Sequence, residues 1–115
     1  MEETKIEINI TTIEDINIVV VKGDIDASTA QSVTKKVLPL VEPGSKILLD
    51  MTAVPYMSSA GLRTLLSVHR QAASKEGKLV LVGLVQDVKD TMDVTGFLEH
   101  FVTTENLEAG LAALK

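Results

Sequence analysis

The fold is decided by one stretch of sequence, Ile47-Leu-Leu-Asp-Met-Thr-Ala-Val-Pro-Tyr-Met-Ser-Ser-Ala-Gly-Leu-Arg-Thr-Leu-Leu66. Its first residues, Ile47–Leu49, form a short apolar run that is typical of a buried strand. After a loop, residues recur with the spacing of one helical face, at Leu62, Leu65, Leu66, His69, Ala72 and Ala73. The stretch therefore predicts a strand, a loop and a helix that begins near Ser58 and ends at about Glu76, where Gly77 stops it.

Ser58 and Ser59 stand where this loop becomes the helix. Serine is favoured there because its hydroxyl oxygen can accept a hydrogen bond from a backbone N–H group of the first helical turn, which has no partner inside the helix. A helix cap is thus the simplest interpretation of the pair when it is taken alone. The residues around the pair indicate a second one.

These residues resemble the signature of the STAS domain, a family that includes bacterial anti-sigma factor antagonists and the cytoplasmic tails of sulphate-type anion transporters. The resemblance lies in the apolar strand, Asp50, a loop with Pro55, Tyr56 and Met57, and then Ser58-Ser59-Ala60-Gly61-Leu62-Arg63. It extends over nearly the whole chain through Gly23-Asp24-Ile25-Asp26, Val82-Gly83-Leu84 and Thr95-Gly96-Phe97-Leu98.

The resemblance implies a function and two protein partners. In antagonists of this family, a serine just before a Ser/Ala/Thr-Gly-Leu triplet is phosphorylated by the anti-sigma factor, which is itself a serine kinase. That serine corresponds to Ser59. Many members carry an aspartate before the phosphoserine where this chain has Ser58, so the role of that carboxylate is not carried over and Ser58 is an alternative acceptor.

The resemblance therefore implies a protein that binds an anti-sigma factor serine kinase and frees a sigma factor. Phosphorylation at Ser59 switches this binding off until a serine phosphatase restores it. Two alternatives stay open: a nucleotide- or anion-binding module, or a phosphorylation-independent scaffold in a regulatory assembly. A nucleotide titration of the isolated protein separates the first alternative from the main interpretation.

The N-terminal part of the chain predicts an antiparallel hairpin. Lys5–Ile10 alternates apolar and polar residues, which indicates an edge strand, and Thr11–Asp15 follows as a turn. Ile16–Val21 is more continuously apolar and indicates an inner strand.

The next segment predicts a helix. Ser28, followed three residues later by Gln31, is typical of a capping box, and the predicted helix holds Val33, Val37 and Leu38. We expect Pro39 to kink or end this helix, because proline lacks an N–H group and crowds the preceding turn. Pro43-Gly44 should close the segment.

The C-terminal half predicts two more strands and two more helices. Lys78–Val82 indicates a buried strand, and a helix from about Asp87 to Thr95 follows and ends at Gly96. A short strand is expected around Phe101-Val102. Thr104 is predicted to cap a last helix that holds three leucines on one stripe, Leu107, Leu111 and Leu114.

Strands that alternate with helices imply parallel pairing through right-handed crossovers. The predicted fold is therefore α/β, with a single small mixed sheet whose N-terminal hairpin is antiparallel and whose remaining strands are parallel. Because segments that leave the carboxyl ends of parallel strands emerge on one rim, three segments should converge there. They are Gly23-Asp24, Asp50-Met51 with Ser58-Ser59, and Gly83-Leu84.

Composition narrows the class of protein. With 115 residues, the chain is predicted to be one STAS-like domain over residues 1–115. A net charge of −5 offers no attraction to nucleic acid or anionic lipid, and no apolar run approaches the about 20 residues that span a bilayer. The start, Met1–Lys5, lacks a targeting pattern, and there is no Cys. We expect a cytoplasmic monomer that binds neither nucleic acid nor a membrane.

An enzyme is disfavoured, and no metal or cofactor is expected. A serine nucleophile needs a base within hydrogen-bond reach. His69 lies ten residues after Ser59 on the same helix, which is about 15 Å. No spacing links His100 to the serines, and no phosphate-binding loop or hydrolase motif is present.

The residues predicted to contact a partner surround the serine pair; they are Asp24, Met57, Ser58, Ser59, Gly61, Leu62 and Arg63. Gly61 allows either close approach of a partner or packing of the helix on the sheet. Met57 and Leu62 are either apolar anchors for a partner or, in the case of Leu62 above all, core residues. Arg63, four residues after Ser59, either pairs with a phosphate or is a solvated surface residue.

Three aspartates on the predicted rim have simpler roles. Asp24 and Asp26 are typical of turns and caps, and the resemblance adds that Asp24 belongs to a loop that faces the kinase or a nucleotide. Asp50 ends a buried strand and is expected to order its loop through backbone hydrogen bonds rather than to perform catalysis.

Overall fold

A computed structural model describes residues 6–115. Met1–Lys5, which include the predicted start of the first strand and the segment searched for a targeting pattern, lie outside the described residues. The elements follow in the order β1 (Glu7–Ile13), β2 (Ile16–Lys22), α1 (Ala30–Val37), β3 (Lys46–Ala53), α2 (Ser59–Ser74), β4 (Lys78–Val82), α3 (Gln86–Val94), β5 (Val102–Thr104) and α4 (Leu107–Leu114). Short 3-10 turns span Leu38–Leu40 and Leu98–His100.

The sheet confirms the predicted fold class. Its strand order is β1-β2-β3-β4-β5, with β1 antiparallel to β2 and every later pair parallel. Strands that are consecutive in sequence are also neighbours in the sheet. Each parallel connection therefore leads to the adjacent strand. β1 is an edge strand, as its alternating pattern predicts.

The two faces of the sheet bury different sets of side chains. On the first face, apolar residues of α1, α2 and α3 pack on the central strands, among them Val33, Val37, Leu65, Val68, Val88 and Met92. On the second face, Leu114 of α4 packs on a smaller set, Ile16, Ile18, Leu48, Val80 and Val82. The chain therefore crosses from the first face to the second only after β5.

Gly110 lets α4 lie close to the second face. A Cβ atom at this position would lie 2.6 Å from Cγ2 of Val82 and 2.9 Å from Cδ1 of Leu48. This contact changes which residues of α4 are buried. Leu107, predicted to lie on the buried stripe, is 41% exposed, whereas Gly110 and Leu114 are buried.

The predicted ends of several elements were wrong. The hairpin turn consists only of Glu14 and Asp15, because Thr11 and Thr12 continue β1 and pair with β2. Their polar side chains favour a turn locally, but an edge strand that is exposed to water accommodates them. At α4, the cap is Asn106 rather than Thr104, since the Asn106 side chain accepts a hydrogen bond from the backbone N–H of Ala109 at 2.8 Å.

The C-terminal ends of α1 and α2 lie close to the predicted ones, but other details differ. α1 ends at Val37, just before the 3-10 turn that contains Pro39, as expected. In α2, Ala73 is exposed and His69 only half-buried, and Val68 takes the core position that the prediction missed. Within residues 6–115, no helix combines the length and the hydrophobicity needed to cross a membrane.

The close approach of α4 predicts the effect of filling the space at Gly110. A Gly110→Val substitution places methyl groups against Leu48 and Val82, which are buried and cannot move aside freely. We expect the free energy of unfolding to fall by about 1–3 kcal/mol, measured by urea denaturation. Ala112→Val, at an exposed position of the same helix, is the control and should change it by less than about 0.5 kcal/mol. Equal losses in both variants would contradict the packing argument.

Candidate functional site

The two serines at the start of α2 have different environments. Ser58 is the N-cap, with extended backbone angles, and its hydroxyl oxygen accepts a hydrogen bond from the backbone N–H of Gly61 at 3.4 Å. Ser59 is the first helical residue; it is exposed, and its hydroxyl group has no hydrogen-bond partner within residues 6–115. The capping role therefore belongs to Ser58, and the hydroxyl group of Ser59 is accessible.

Backbone hydrogen bonds join this helix start to the loop after β2. The N–H of Ile25 donates to the carbonyl of Tyr56 at 3.1 Å, and the N–H of Ser58 donates to the carbonyl of Ile25 at 2.9 Å. Ile25 and Met57 form an isolated parallel bridge. The pairing of β2 with β3 thus continues into the loops that follow the two strands. This pairing brings Asp24 beside the serine pair, as predicted.

The loop after β2 is held by Thr29 and Asp26. Thr29 is 3% exposed; its hydroxyl group donates to the carbonyl of Asp24 at 2.7 Å and accepts from the N–H of Asp26 at 2.9 Å. The Asp26 carboxylate accepts from the hydroxyl and N–H groups of Ser28 at 2.7 and 2.9 Å and from the N–H of Thr29 at 3.2 Å. These bonds, above all those from Ser28, lower the pKa of the Asp26 carboxyl group below its ordinary value.

This arrangement corrects the prediction for the start of α1. Ser28 was expected to cap that helix in a capping box with Gln31. Instead, α1 begins at Ala30, after the N-cap Thr29, and the Ser28 side chain serves Asp26. The aspartate stands two residues before Ser28 and competes for its hydroxyl group, a contact that the capping-box pattern does not include.

Three of the residues predicted to contact a partner belong to the core. Met57 and Leu62 are each 2% exposed. Gly61 is also buried, and a Cβ atom there would lie 2.6 Å from both the carbonyl oxygen of Ile25 and Cγ of Met57. Gly61 is thus small because α2 starts directly against the Ile25 backbone. Of the two alternatives for Met57 and Leu62, their burial supports core residues and not exposed anchors for a partner, as expected above all for Leu62.

The exposed residues of this region form what we call the serine surface, defined as Asp24, Tyr56, Ser59 and Arg63. Tyr56 is 54% exposed, and it was not among the residues predicted to contact a partner. The sequence offered no signal for this exposure, because Val54 and Met57 of the same apolar loop are both buried.

The remaining rim segments also converge. The Asp50 carboxylate accepts hydrogen bonds from the N–H and hydroxyl groups of Thr52, at 3.0 and 2.6 Å, and so orders the end of β3, as expected. Gly83 has φ +70° and lies against the Thr52 side chain, and its N–H donates to the carbonyl of Thr104 at 2.9 Å. The carboxyl ends of β3, β4 and β5 therefore meet beside Gly83.

The histidines lie away from the serine surface. His69 packs on Phe101, with ring centroids 5.1 Å apart, and its Nδ1 atom is buried without a partner among the described residues. Within residues 6–115, no group of three or more His, Asp or Glu side chains could hold a metal ion. The histidine of α2 cannot act as a general base for Ser58 or Ser59, because His69 lies almost three helical turns further along the helix.

The comparisons with known proteins agree with this architecture. The family model of the STAS domain matches residues 7–110. BtrV of Bordetella bronchiseptica is 32% identical over 104 residues, which cover 90% of each chain. The anti-sigma-B factor antagonist of Listeria monocytogenes is 33% identical over 90 residues, or 76% of this chain and 77% of that one. The Bacillus cell fate determinant SpoIIAA, solved in its phosphorylated form, superimposes with a TM-score of 0.71 at 12% identity, covering 95% of this chain and all of that one.

The partial burial of His69 predicts a pH dependence of stability. Burial lowers the pKa of the His69 imidazole below its ordinary value of 6.5, and the charge of His100 lowers it further. The unfolded chain therefore binds a proton at this residue more readily than the folded one. Stability is fully present above pH 6.5 and declines as the pH falls from 6.5 towards the folded-state pKa.

This decline can be measured as the change in the urea denaturation midpoint between pH 7.5 and 5.5. Carboxylates contribute little in this range, because they titrate at about pH 4. A His69→Gln variant should lose most of the slope, because its side chain does not titrate. Lys36→Gln, on the exposed face of α1, should keep it. An unchanged slope in His69→Gln would show that other groups cause the dependence.

Proposed function

This chain belongs to the STAS domain family, and from that membership we propose that it is an anti-sigma factor antagonist controlled by phosphorylation of Ser59. In its unmodified form it binds an anti-sigma factor that is a serine kinase, and a sigma factor is released. Phosphorylation of Ser59 ends the binding, and a serine phosphatase restores it. The single observation that carries this proposal is the exposed hydroxyl group of Ser59 at the first position of α2, which has no hydrogen-bond partner among residues 6–115.

The start of α2 is a favourable place for a phosphate. Backbone N–H groups at the N-terminus of a helix have no partners within the helix, and the helix dipole favours negative charge there by about 0.3–1 kcal/mol. Ser59 is exposed, so the modified side chain can remain in water. The domain can therefore carry the phosphate without unfolding. The phosphorylated form of SpoIIAA, which shares the fold, supports this.

The environment of the two serines favours Ser59 over Ser58 as the acceptor. The Ser58 oxygen accepts a hydrogen bond from Gly61 and caps α2, and its backbone is bonded to Ile25. A kinase that acted on Ser58 would have to disturb this cap, which is worth about 1 kcal/mol. Phosphorylation of Ser59 leaves the cap and the Ile25 hydrogen bonds in place.

The switch acts on the partner contact rather than on the domain itself. A phosphoserine carries about −1.5 to −2 charges at neutral pH, and placing it against an acidic or apolar partner surface costs desolvation and repulsion. Each 1.4 kcal/mol lost weakens binding about tenfold. Asp24 and Tyr56 flank Ser59 on the serine surface and supply the remaining contacts in this proposal.

Arg63 has a separate role in the proposal. It is exposed and stands four residues after Ser59, which places both side chains on the same side of α2. Its guanidinium group can pair with the phosphate once that is formed. This pairing would withdraw Arg63 from the partner at the moment when the negative charge arrives, so both changes oppose binding.

The first test locates the modification. The purified chain is incubated with ATP and an extract of its own organism, and intact mass followed by fragmentation identifies the product. We expect one phosphate, carried by Ser59, in the wild type and in Ser58→Ala, and none in Ser59→Ala. Phosphate on Ser58 in the wild type would contradict the assignment, and unmodified protein would contradict the proposed function.

The second test measures the switch. Ser59→Asp should bind the organism's anti-sigma kinase at least about tenfold more weakly than wild type, as measured by calorimetry. Ser67→Asp is the matched control, since Ser67 is an exposed serine further along α2, and it should bind with unchanged affinity. Binding of Ser59→Asp as tight as that of wild type would show that Ser59 is outside the interface.

A further inference from the structure

A polar groove lies on the same rim, on the side of β3 that faces β4 and β5. Its volume is about 530 Å³, and its polar lining consists of Thr52, Gln86, Lys89, Thr103, Thr104 and Glu105. None of these residues belongs to the serine surface. A volume of this size falls within the range of about 300–1,000 Å³ that is typical of small-molecule sites.

The topology of the chain changes direction at this groove. β4 continues into α3, whose Val88 and Met92 pack on the first face of the sheet, whereas β5 continues into α4, whose Leu114 packs on the second face. The segments that leave two neighbouring parallel strands therefore diverge. In open α/β sheets, such a divergence at the carboxyl ends of the strands opens the crevice in which ligands bind.

Gly83 shapes the floor of the groove. Its φ of +70° turns the chain sharply as it leaves β4, and the absence of a side chain lets the Thr52 hydroxyl group lie directly against it. The hydroxyl proton of Thr52 is donated to Asp50 at 2.6 Å. Because this proton is engaged, the Thr52 oxygen can take part in the lining only as a hydrogen-bond acceptor.

Other polar groups in the lining also offer acceptor oxygens. The Thr104 hydroxyl group donates to the carbonyl of Asn106 at 3.4 Å, which leaves its oxygen to accept. The Gln86 amide nitrogen donates to Asp90 at 2.7 Å, and Glu105 contributes a carboxylate. A polyhydroxy compound suits this lining, because its hydroxyl groups can donate to these acceptors and also accept from Thr103 and Gln86.

Lys89 contributes the opposite property. It is the cation of the lining, and no carboxylate lies within ion-pair distance of it in the part of the chain that the structure describes. A lysine ammonium group is a compact charge that binds phosphate. The lining contains no aromatic side chain on which a nucleobase could stack, so its chemistry suits a phosphorylated compound without a base.

We propose that this groove binds a small phosphorylated sugar or polyol. Lys89 holds the phosphate, and Thr52, Thr104 and Glu105 accept hydrogen bonds from the hydroxyl groups. This site goes beyond the proposed function and does not depend on it. Binding can be tested on the isolated chain, without a kinase and without modification of Ser59.

The experiment is a titration of the full, ¹⁵N-labelled chain with ribose 5-phosphate and with glucose 6-phosphate, followed by NMR. We expect the largest shift changes at the amides of Thr52, Gly83 and Thr104. Ribose and inorganic phosphate are titrated separately as controls. Ribose lacks the phosphate that Lys89 would hold, and inorganic phosphate lacks the sugar hydroxyl groups, so each should bind at least about tenfold more weakly than the sugar phosphates.

Two variants assign the roles within the groove. Lys89→Gln should weaken the binding of ribose 5-phosphate at least about tenfold, whereas Lys36→Gln, an exposed lysine of α1, should leave it unchanged. Glu105→Ala should weaken the binding of ribose 5-phosphate but not that of inorganic phosphate. Circular dichroism of each variant verifies that the fold is kept.

Several results would overturn the proposal. One is that neither sugar phosphate shifts any amide at millimolar concentration, and another is that the shifts map to the serine surface. Binding of inorganic phosphate as tight as that of the sugar phosphates would reduce the site to an anion site. Binding of adenosine monophosphate without binding of ribose 5-phosphate would show that a base is required. Equal effects of Lys89→Gln and Lys36→Gln would exclude the groove.

Discussion

The hydrogen bonds between Ile25 and the Tyr56–Ser58 backbone are the constraint on which the rest of the rim depends. They join two loops that are separated by α1 and β3 in the chain, and they leave no room for a side chain at Gly61, where a Cβ atom would meet the Ile25 carbonyl at 2.6 Å. The start of α2 is therefore positioned by the backbone of another loop. Because backbone hydrogen bonds are directional, this also fixes the direction in which Ser59 points.

A rigid frame around an exposed hydroxyl group explains how a modification could be read without a change of fold. Thr29 and Asp26 hold the loop after β2 through side-chain hydrogen bonds, and Ser58 caps α2. The loop after β2 and the start of α2 are thus held by hydrogen bonds that do not involve the Ser59 hydroxyl group. A charge added to Ser59 alters the surface that a partner meets, while the energy of the framework changes little because the charge stays in water.

The rim has two halves that share β3. The chain that leaves the carboxyl end of β3 leads to the serine surface. At the same end of β3, Thr52 lines the polar groove. Asp50 links the halves, since its carboxylate holds Thr52 at the start of the loop that leads to Ser58. The two halves differ in chemistry: one carries an exposed aromatic ring, Tyr56, and the other is a polar groove. This difference is the reason for proposing a protein partner at the first and a small molecule at the second.

The sequence by itself determined the order and type of the elements, the mixed sheet and the place of the serine pair, because periodicity and capping are local properties. Lys78–Val82 is a strand with the predicted bounds, and Ser58 caps α2. Only the tertiary structure decided which residues are buried. Met57 and Leu62 belong to the core and Tyr56 to the surface, and Asp26 rather than α1 engages Ser28. Burial and competing hydrogen bonds depend on residues distant in the chain, such as Ile25 beside Gly61, and no local pattern contains them.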